Sequence, residues 1–245
     1  YFPPLNGGED KGLNDAGIEN FSRKMHLARE TCQNVIDAHD PESAKCPSIE
    51  FEHLELPTAE FPDLDRFQEL FEACRRFELA GIPEDGGKPN ALAKQSIQFF
   101  DRGDKLLKGE TIPVLRIRDI GTTGLTGLED DRAGRWYRLV RGQGRSNLEG
   151  AGGGTYGIGQ RAPFAFSDLR LVFYSTRLTD GTSRFMGKTV LCTCEDPSTS
   201  KLTQNVAFLG ALTDDDAGVA AITGQSNIPK FFHRDSVLSL IHISE

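Results

Sequence analysis

Glu30, Asn34 and Asp37 follow one another at intervals of four and three residues in Arg29-Glu30-Thr31-Cys32-Gln33-Asn34-Val35-Ile36-Asp37-Ala38. On a helix this spacing stacks them on one face, while Val35 and Ile36 occupy other faces and can pack inward. Two carboxylates and an amide in such a column can bind a hydrated cation and hold a water molecule, although an ordinary surface helix also carries polar stripes. A second stretch, Leu115-Arg116-Ile117-Arg118-Asp119-Ile120-Gly121-Thr122-Thr123-Gly124, is an alternating strand that ends in an acid and then in glycines. Gly121 and Gly124 permit tight turns and close approach of a ligand to the backbone. An aspartate at a strand end is equally an ordinary turn former. The third stretch is Gly152-Gly153-Gly154-Thr155-Tyr156-Gly157-Ile158-Gly159-Gln160. Its glycines allow consecutive backbone N–H groups to converge on an anion where a helix begins, which is how phosphates are held. A flexible linker is disfavoured because the run leads straight into the apolar sequence Ala162–Phe166.

The elements that must carry these residues can be read from periodicity. Residues 22–39 predict a helix with Ser22 as its cap and Asp40-Pro41 as its stop. Ser48–Leu56 alternates imperfectly and reads as a strand. Helices follow over Asp63–Phe77, with Leu64, Phe67, Leu70, Phe71 and Cys74 on one stripe, and over Asn90–Leu107. Ile112–Arg118 predicts a strand, then come a short helix near Ala133–Val140 and another from Gly159 to about Phe166. Leu169, Leu171 and Phe173 alternate with Arg170, Val172 and Tyr174 in a strand, and Lys188–Cys194 and Asn205–Leu209 suggest two more. Helices first and mostly strands afterwards make an α+β fold.

Composition narrows the classes. A chain of 245 residues, 38% hydrophobic and 26% charged, is long enough to bury a substantial core. No apolar run approaches the ~18–20 residues of a membrane span, and the start, Tyr1-Phe2-Pro3-Pro4, lacks a signal-peptide pattern. The five scattered cysteines point to a reducing, cytoplasmic setting, with Cys192-x-Cys194 read as buried thiols because no second ligand pair accompanies it. A net charge of −8 offers no electrostatic footprint for nucleic acid. Two further patterns fail as nucleotide motifs. Gly154, Gly157 and Gly159 lack dinucleotide-fold spacing, and Gly187-Lys188-Thr189 follows Gly181 at the wrong distance and enters a β-branched strand.

Taken in order, the three stretches resemble the Bergerat-fold GHKL family, which includes gyrase B subunits, a heat-shock chaperone, sensor histidine kinases and the mismatch-repair protein MutL. Glu30-x-x-x-Asn34-x-x-Asp37-Ala38 matches the N box. Asp119-x-Gly121-x-x-Gly124 resembles the first glycine box, and Gly154-x-x-Gly157-x-Gly159 the second. The resemblance implies a Bergerat-type α/β sandwich, a mixed and mostly antiparallel sheet covered on one face by helices, forming one ATP-binding domain over residues 1–237. It implies a helical insert at about 60–108, whose amphipathic stripe favours covering the sheet, and a lid over about 122–153. Glu30 would be the general base, Asn34 would coordinate Mg²⁺, Asp37 would support the site, and Asp119 would hydrogen-bond the adenine amino group. Gly121 and Gly124 would let the chain pass close to the base. The backbone at Gly154, Thr155, Tyr156, Gly157, Ile158, Gly159 and Gln160 would cradle the phosphates. The implied activity is Mg-ATP binding and hydrolysis coupled to lid closure and to homodimerisation or a partner switch. Histidine-kinase-type phosphotransfer and a non-hydrolysing ATP sensor are the alternatives, and Glu30 speaks against the kinase.

Two departures accompany the resemblance. About fifty residues of helical sequence separate the strand near Ser48 from the one ending at Asp119, where simpler members have a turn. Gln160 stands where a lysine would neutralise phosphate charge, leaving Arg161 nearest. The overall pattern is similar to bacterial GHKL proteins, some linked to phage defence or DNA processing. The octapeptide Leu238–Glu245 reads as a translated sequencing-library adapter. Our hypothesis is a natural sequence that breaks off near Val237, without its last strand and any C-terminal domain for a partner protein or DNA; a natural homologue retaining the octapeptide would refute it.

Overall fold

β3 (Leu171–Arg177) and β4 (Ser183–Val190) are buried along almost their whole length on both sides, and a sheet with two apolar faces needs cover on both. The computed structural model describes residues 1–13, 23–39, 46–81, 91–142, 161–213, 218–233 and 238–244. Within them the main sheet has the order β1 (Ser48–Pro57), β2 (Thr111–Ile120), β9 (Leu238–Ser244), β3, β4 and β5 (Val206–Leu209), with β8 (Ile222–Thr223) also on β4. β6 (Ala211–Leu212) and β7 (Val219–Ala220) form a separate ribbon. The α+β class expected from the sequence holds at this level. Every described strand pairing is antiparallel, where a mixed and mostly antiparallel sheet was expected.

Helices cover both faces rather than one. On the first face α2 (Leu64–Ala80) and α3 (Ala91–Leu107) press Phe67, Leu70, Phe71, Phe99 and Phe100 onto Ile112, Val114, Leu171, Phe173 and Phe185. On the second, α1 (Arg23–Asp37), the π-helical segment Tyr137–Arg141 and α4 (Ala162–Phe166) join Leu27, Trp136, Val140 and Phe164 to Ile117, Val172, Tyr174 and Met186. The period of two explains the division: alternate residues of β2, β3 and β4 point to opposite cores. α2 and α3 therefore close the face that α1 and α4 leave open.

Boundaries differ from expectation in two places. β4 starts at Ser183 and ends at Val190, so Leu191–Cys194 lies outside it. That segment instead bonds irregularly to its neighbours, with Leu191 donating to Asn205 O and Thr193 to Lys11 O, both at 2.8 Å. Cys192 and Cys194 are buried free thiols. Cys74 on α2 and Cys192 each direct a thiol at the other's backbone carbonyl, at 3.6 and 3.5 Å, and burial pushes the Cys74 thiol well up. The second difference concerns Leu238–Ser244, which lies between β2 and β3 and pairs with both, Arg116 opposite His242 and Phe173 opposite His242. Among the described residues no helix is long and apolar enough to cross a membrane.

Candidate functional site

α1 seats itself through Leu27, Thr31 and Val35, one turn apart and all buried. Thr31 satisfies its hydroxyl within the helix, donating to Leu27 O at 2.7 Å. This stripe leaves Glu30 half-buried at its margin and Asn34 and Asp37 exposed. Ile36 departs from expectation: it is 63% exposed, because the seated stripe turns it outward. Gln33 donates to Asp37 Oδ1 at 2.8 Å, so Asp37 is steadied from its own helix.

Asp119 lies near the end of β2 and is only 7% exposed. Thr122, also buried, donates from Oγ1 to Asp119 Oδ2 at 2.7 Å and accepts from Gly124 N at 3.3 Å. The chain can fold back this tightly because Gly121 and Gly124 adopt left-handed backbone angles, φ 73° and 69°. Leu125 N then donates to Thr176 Oγ1 on β3 at 3.1 Å. Thr122 escaped the sequence reading, where it was one of two threonines in a turn; its signal is visible only once the turn closes.

This loop and the end of α1 are bound together. Thr123 N donates to Ala38 O at 3.1 Å, and His39 and Thr122 form a bridge. Arg135 spans the joint, donating to Thr123 Oγ1 at 2.9 Å and to Asp37 O at 2.8 Å. α1 also packs along α4, which begins at Ala162, with Arg161 between it and Gln160 in the sequence. The first two sequence elements are thus brought together, and α4 packs beside the first of them. Gly154, Thr155, Tyr156, Gly157, Ile158, Gly159 and Gln160 themselves lie outside the described residues.

From Thr126 the chain turns under itself. Trp136 N donates to Thr126 O at 2.9 Å, Glu129 accepts Ala221 N at 2.9 and 2.8 Å, and Arg141 reaches Glu129 at 2.7 Å. Gly127 and Gly134 cross so closely that a Cβ on Gly127 would lie 2.5 Å from Gly134 Cα. Gly127 also has φ 95°. Gly127→Ala is therefore expected to cost about 2–3 kcal/mol, read as a lowered thermal midpoint, because two backbones cannot separate without breaking the Glu129–Arg141 anchor. An unchanged midpoint would mean that this crossing is looser than described.

Gly187-Lys188-Thr189 lies inside β4, in agreement with its rejection as a phosphate loop. Lys188 is buried and donates to Val140 O at 2.8 Å. A cavity of about 900 Å³ opens on the opposite sheet face between α2, β4 and β5, with Arg66 and Asp196 in its wall. It contains none of Glu30, Asn34, Asp37 or Asp119, so it is separate from the candidate site. Among the described residues no group of three or more His, Cys, Asp or Glu could hold a metal ion. A magnesium site made from one protein oxygen and ligand phosphates needs no such group. In comparisons with known proteins, no family model and no curated protein matches this chain.

Proposed function

We propose that this chain binds Mg-ATP in the manner of the GHKL family and hydrolyses it, with nucleotide binding driving lid closure and dimerisation or a partner switch. The observation that supports this reading is the position of α1, which packs along α4 while Ala38 and His39, just beyond its end, bond to Thr123 and Thr122 of the Asp119–Gly124 loop. Stretches that are weak signals apart in sequence thereby become neighbours. In this reading Glu30 holds and deprotonates the attacking water, and Asn34 offers its side-chain oxygen to Mg²⁺. Asp37 steadies the helix end, and Asp119, oriented by Thr122, accepts from the adenine amino group. Mg²⁺ supplies charge neutralisation across the phosphates when bound, and the chain supplies orientation. The resemblance places such an activity in bacterial DNA processing or phage defence.

Mg-ATP binding by calorimetry, together with phosphate release, tests this for the wild type and Glu30→Ala. Both are expected to bind, and only the wild type to turn over. A well-folded protein that does not bind ATP overturns the proposal. Binding without release by either protein would favour a non-hydrolysing sensor, and phosphate on a partner histidine would favour the kinase.

A further inference from the structure

The cavity of about 900 Å³ between α2, β4 and β5 lies on the sheet face opposite α1 and has no part in the nucleotide reading. We propose that it binds a small uncharged aromatic molecule carrying one hydrogen-bond donor, with Asp196 as the acceptor. Its volume falls within the roughly 300–1,000 Å³ of ordinary ligand sites. Most of its wall is apolar because β4 and β5 turn the same alternate residues toward α2. Phe185 and Leu209 come from the strands, Phe67 and Leu70 from the helix, and Phe2 and Ile222 join them. Leu202 and Leu212, both exposed, also line it. Water among such side chains finds few partners, so an apolar molecule displaces it at a gain. The rings of Phe2, Phe67 and Phe185 favour an aromatic body, which can meet them edge-on or offset.

The polar part of the wall decides the head group. The Asp196 side chain is only 10% exposed. All three bonds to its carboxylate fall on Oδ1: Arg66 donates at 2.9 Å, Ser198 N at 2.8 Å and Ser198 Oγ at 2.7 Å. Among the described residues none donates to Oδ2. A largely buried carboxylate oxygen without a donor is costly, and an N–H or O–H on a molecule in the cavity supplies one. Charge argues for a neutral molecule. The charged side chains of the wall are Asp63, Arg66, Asp196 and Lys201, two of each sign. Arg66 is already engaged by Asp196 and, at 3.3 Å, by Glu69. Burial first, and then the Arg66 charge, lower the pKa of the Tyr1 amino group, which donates to Phe208 O at 2.7 Å. With the side chains balanced, a molecule bearing a full charge would leave water for an apolar wall without compensation.

The probe is N-phenylnaphthylamine, an uncharged aromatic amine with a single N–H, whose emission rises in apolar surroundings. Its N-methyl derivative lacks that donor, and anilinonaphthalene sulfonate keeps the rings but adds an anion. Each is titrated into the whole chain, and the amine and its N-methyl derivative also into Leu209→Trp and Asp196→Asn. Wild type is expected to bind the amine one to one, and the other two probes about tenfold more weakly. Leu209→Trp fills the cavity and is expected to weaken amine binding by about tenfold or more. In Asp196→Asn the amide oxygen keeps the Arg66 and Ser198 bonds, and its nitrogen replaces the acceptor at Oδ2. The amine should then lose about tenfold, while its N-methyl derivative changes by less than about twofold. A folded wild type that does not bind the amine overturns the proposal, as does wild-type affinity in folded Leu209→Trp. Equal wild-type affinities for the amine and either of the other two probes also overturn it. If a variant fails to fold, the comparison of the three probes on wild type decides the matter. Saturating Mg-ATP is expected to leave amine affinity unchanged; displacement by Mg-ATP would put the probe in the nucleotide site and overturn the proposal. A chain that binds the amine but no ATP would refute the function proposed above and leave this one standing.

Discussion

Asp119→Asn is expected to weaken ATP binding by roughly 100-fold while shifting preference toward inosine triphosphate. The carboxylate is buried at the end of β2 and held by Thr122 at 2.7 Å, so its direction is set before any ligand arrives. A pre-oriented carboxylate accepts well from the exocyclic amine of adenine. A hydrogen bond to a charged group of this kind is worth about 1.5–3 kcal/mol, hence a factor of about 10 to 150 in affinity. The amide that replaces the carboxylate is the same size and can still accept from Thr122 through its oxygen, but its nitrogen then presents hydrogens toward the adenine amine. Inosine carries a carbonyl at that position, which the amide can satisfy and the carboxylate repels. Competition between ATP and inosine triphosphate in both proteins reads the swap directly. Equal ATP affinities in two folded proteins would remove Asp119 from the base-binding site, whatever the rest of the chain does.

The second large effect concerns stability. Phe173→Ala is expected to lower unfolding free energy by about 3–5 kcal/mol, a fall of roughly 10 °C or more in thermal midpoint. Phe173 lies at the centre of an aromatic cluster, with ring centres 5.8 Å from Phe61, 5.6 Å from Phe185 and 4.7 Å from Phe232. Those partners come from three different parts of the chain, so the ring joins the entrance to α2, the neighbouring strand β4 and the short turn near Phe232. Its removal leaves a void that none of the three can fill without moving away from the others. Denaturant unfolding checks this value. A loss under 1 kcal/mol would mean that the cluster collapses freely onto the gap.

These two residues also mark where sequence reading succeeds and where it stops. Phe173 is readable as a core residue because β3 alternates and is apolar, and short-range periodicity is a local property. α1, α2, α3, β1 and β2 were legible for the same reason, within a few residues at their ends. Asp119 could be singled out as an acid at a strand end before glycines, but its burial and its bond from Thr122 arise from a turn that closes only in three dimensions. Lys188 reads locally as a false phosphate-loop lysine. Its pairing with Val140 and its place beside Phe164 depend on segments far apart in sequence.

By itself, the sequence determined the α+β class, the polar face of α1, the amphipathic stripe of α2 and the turn-permitting glycines after Asp119, since each follows from nearest-neighbour sterics or from helical and strand periods. Tertiary structure alone decided that α2 and α3 cover a second sheet face, that all described strand pairs are antiparallel, and that Leu238–Ser244 lies between β2 and β3. It also decided that Ile36 faces outward while Val35 faces in. The physical reason is common to all four: apolar burial is nondirectional and strand pairing is sequence-tolerant, so which surfaces meet is settled by the whole chain's competition for cover.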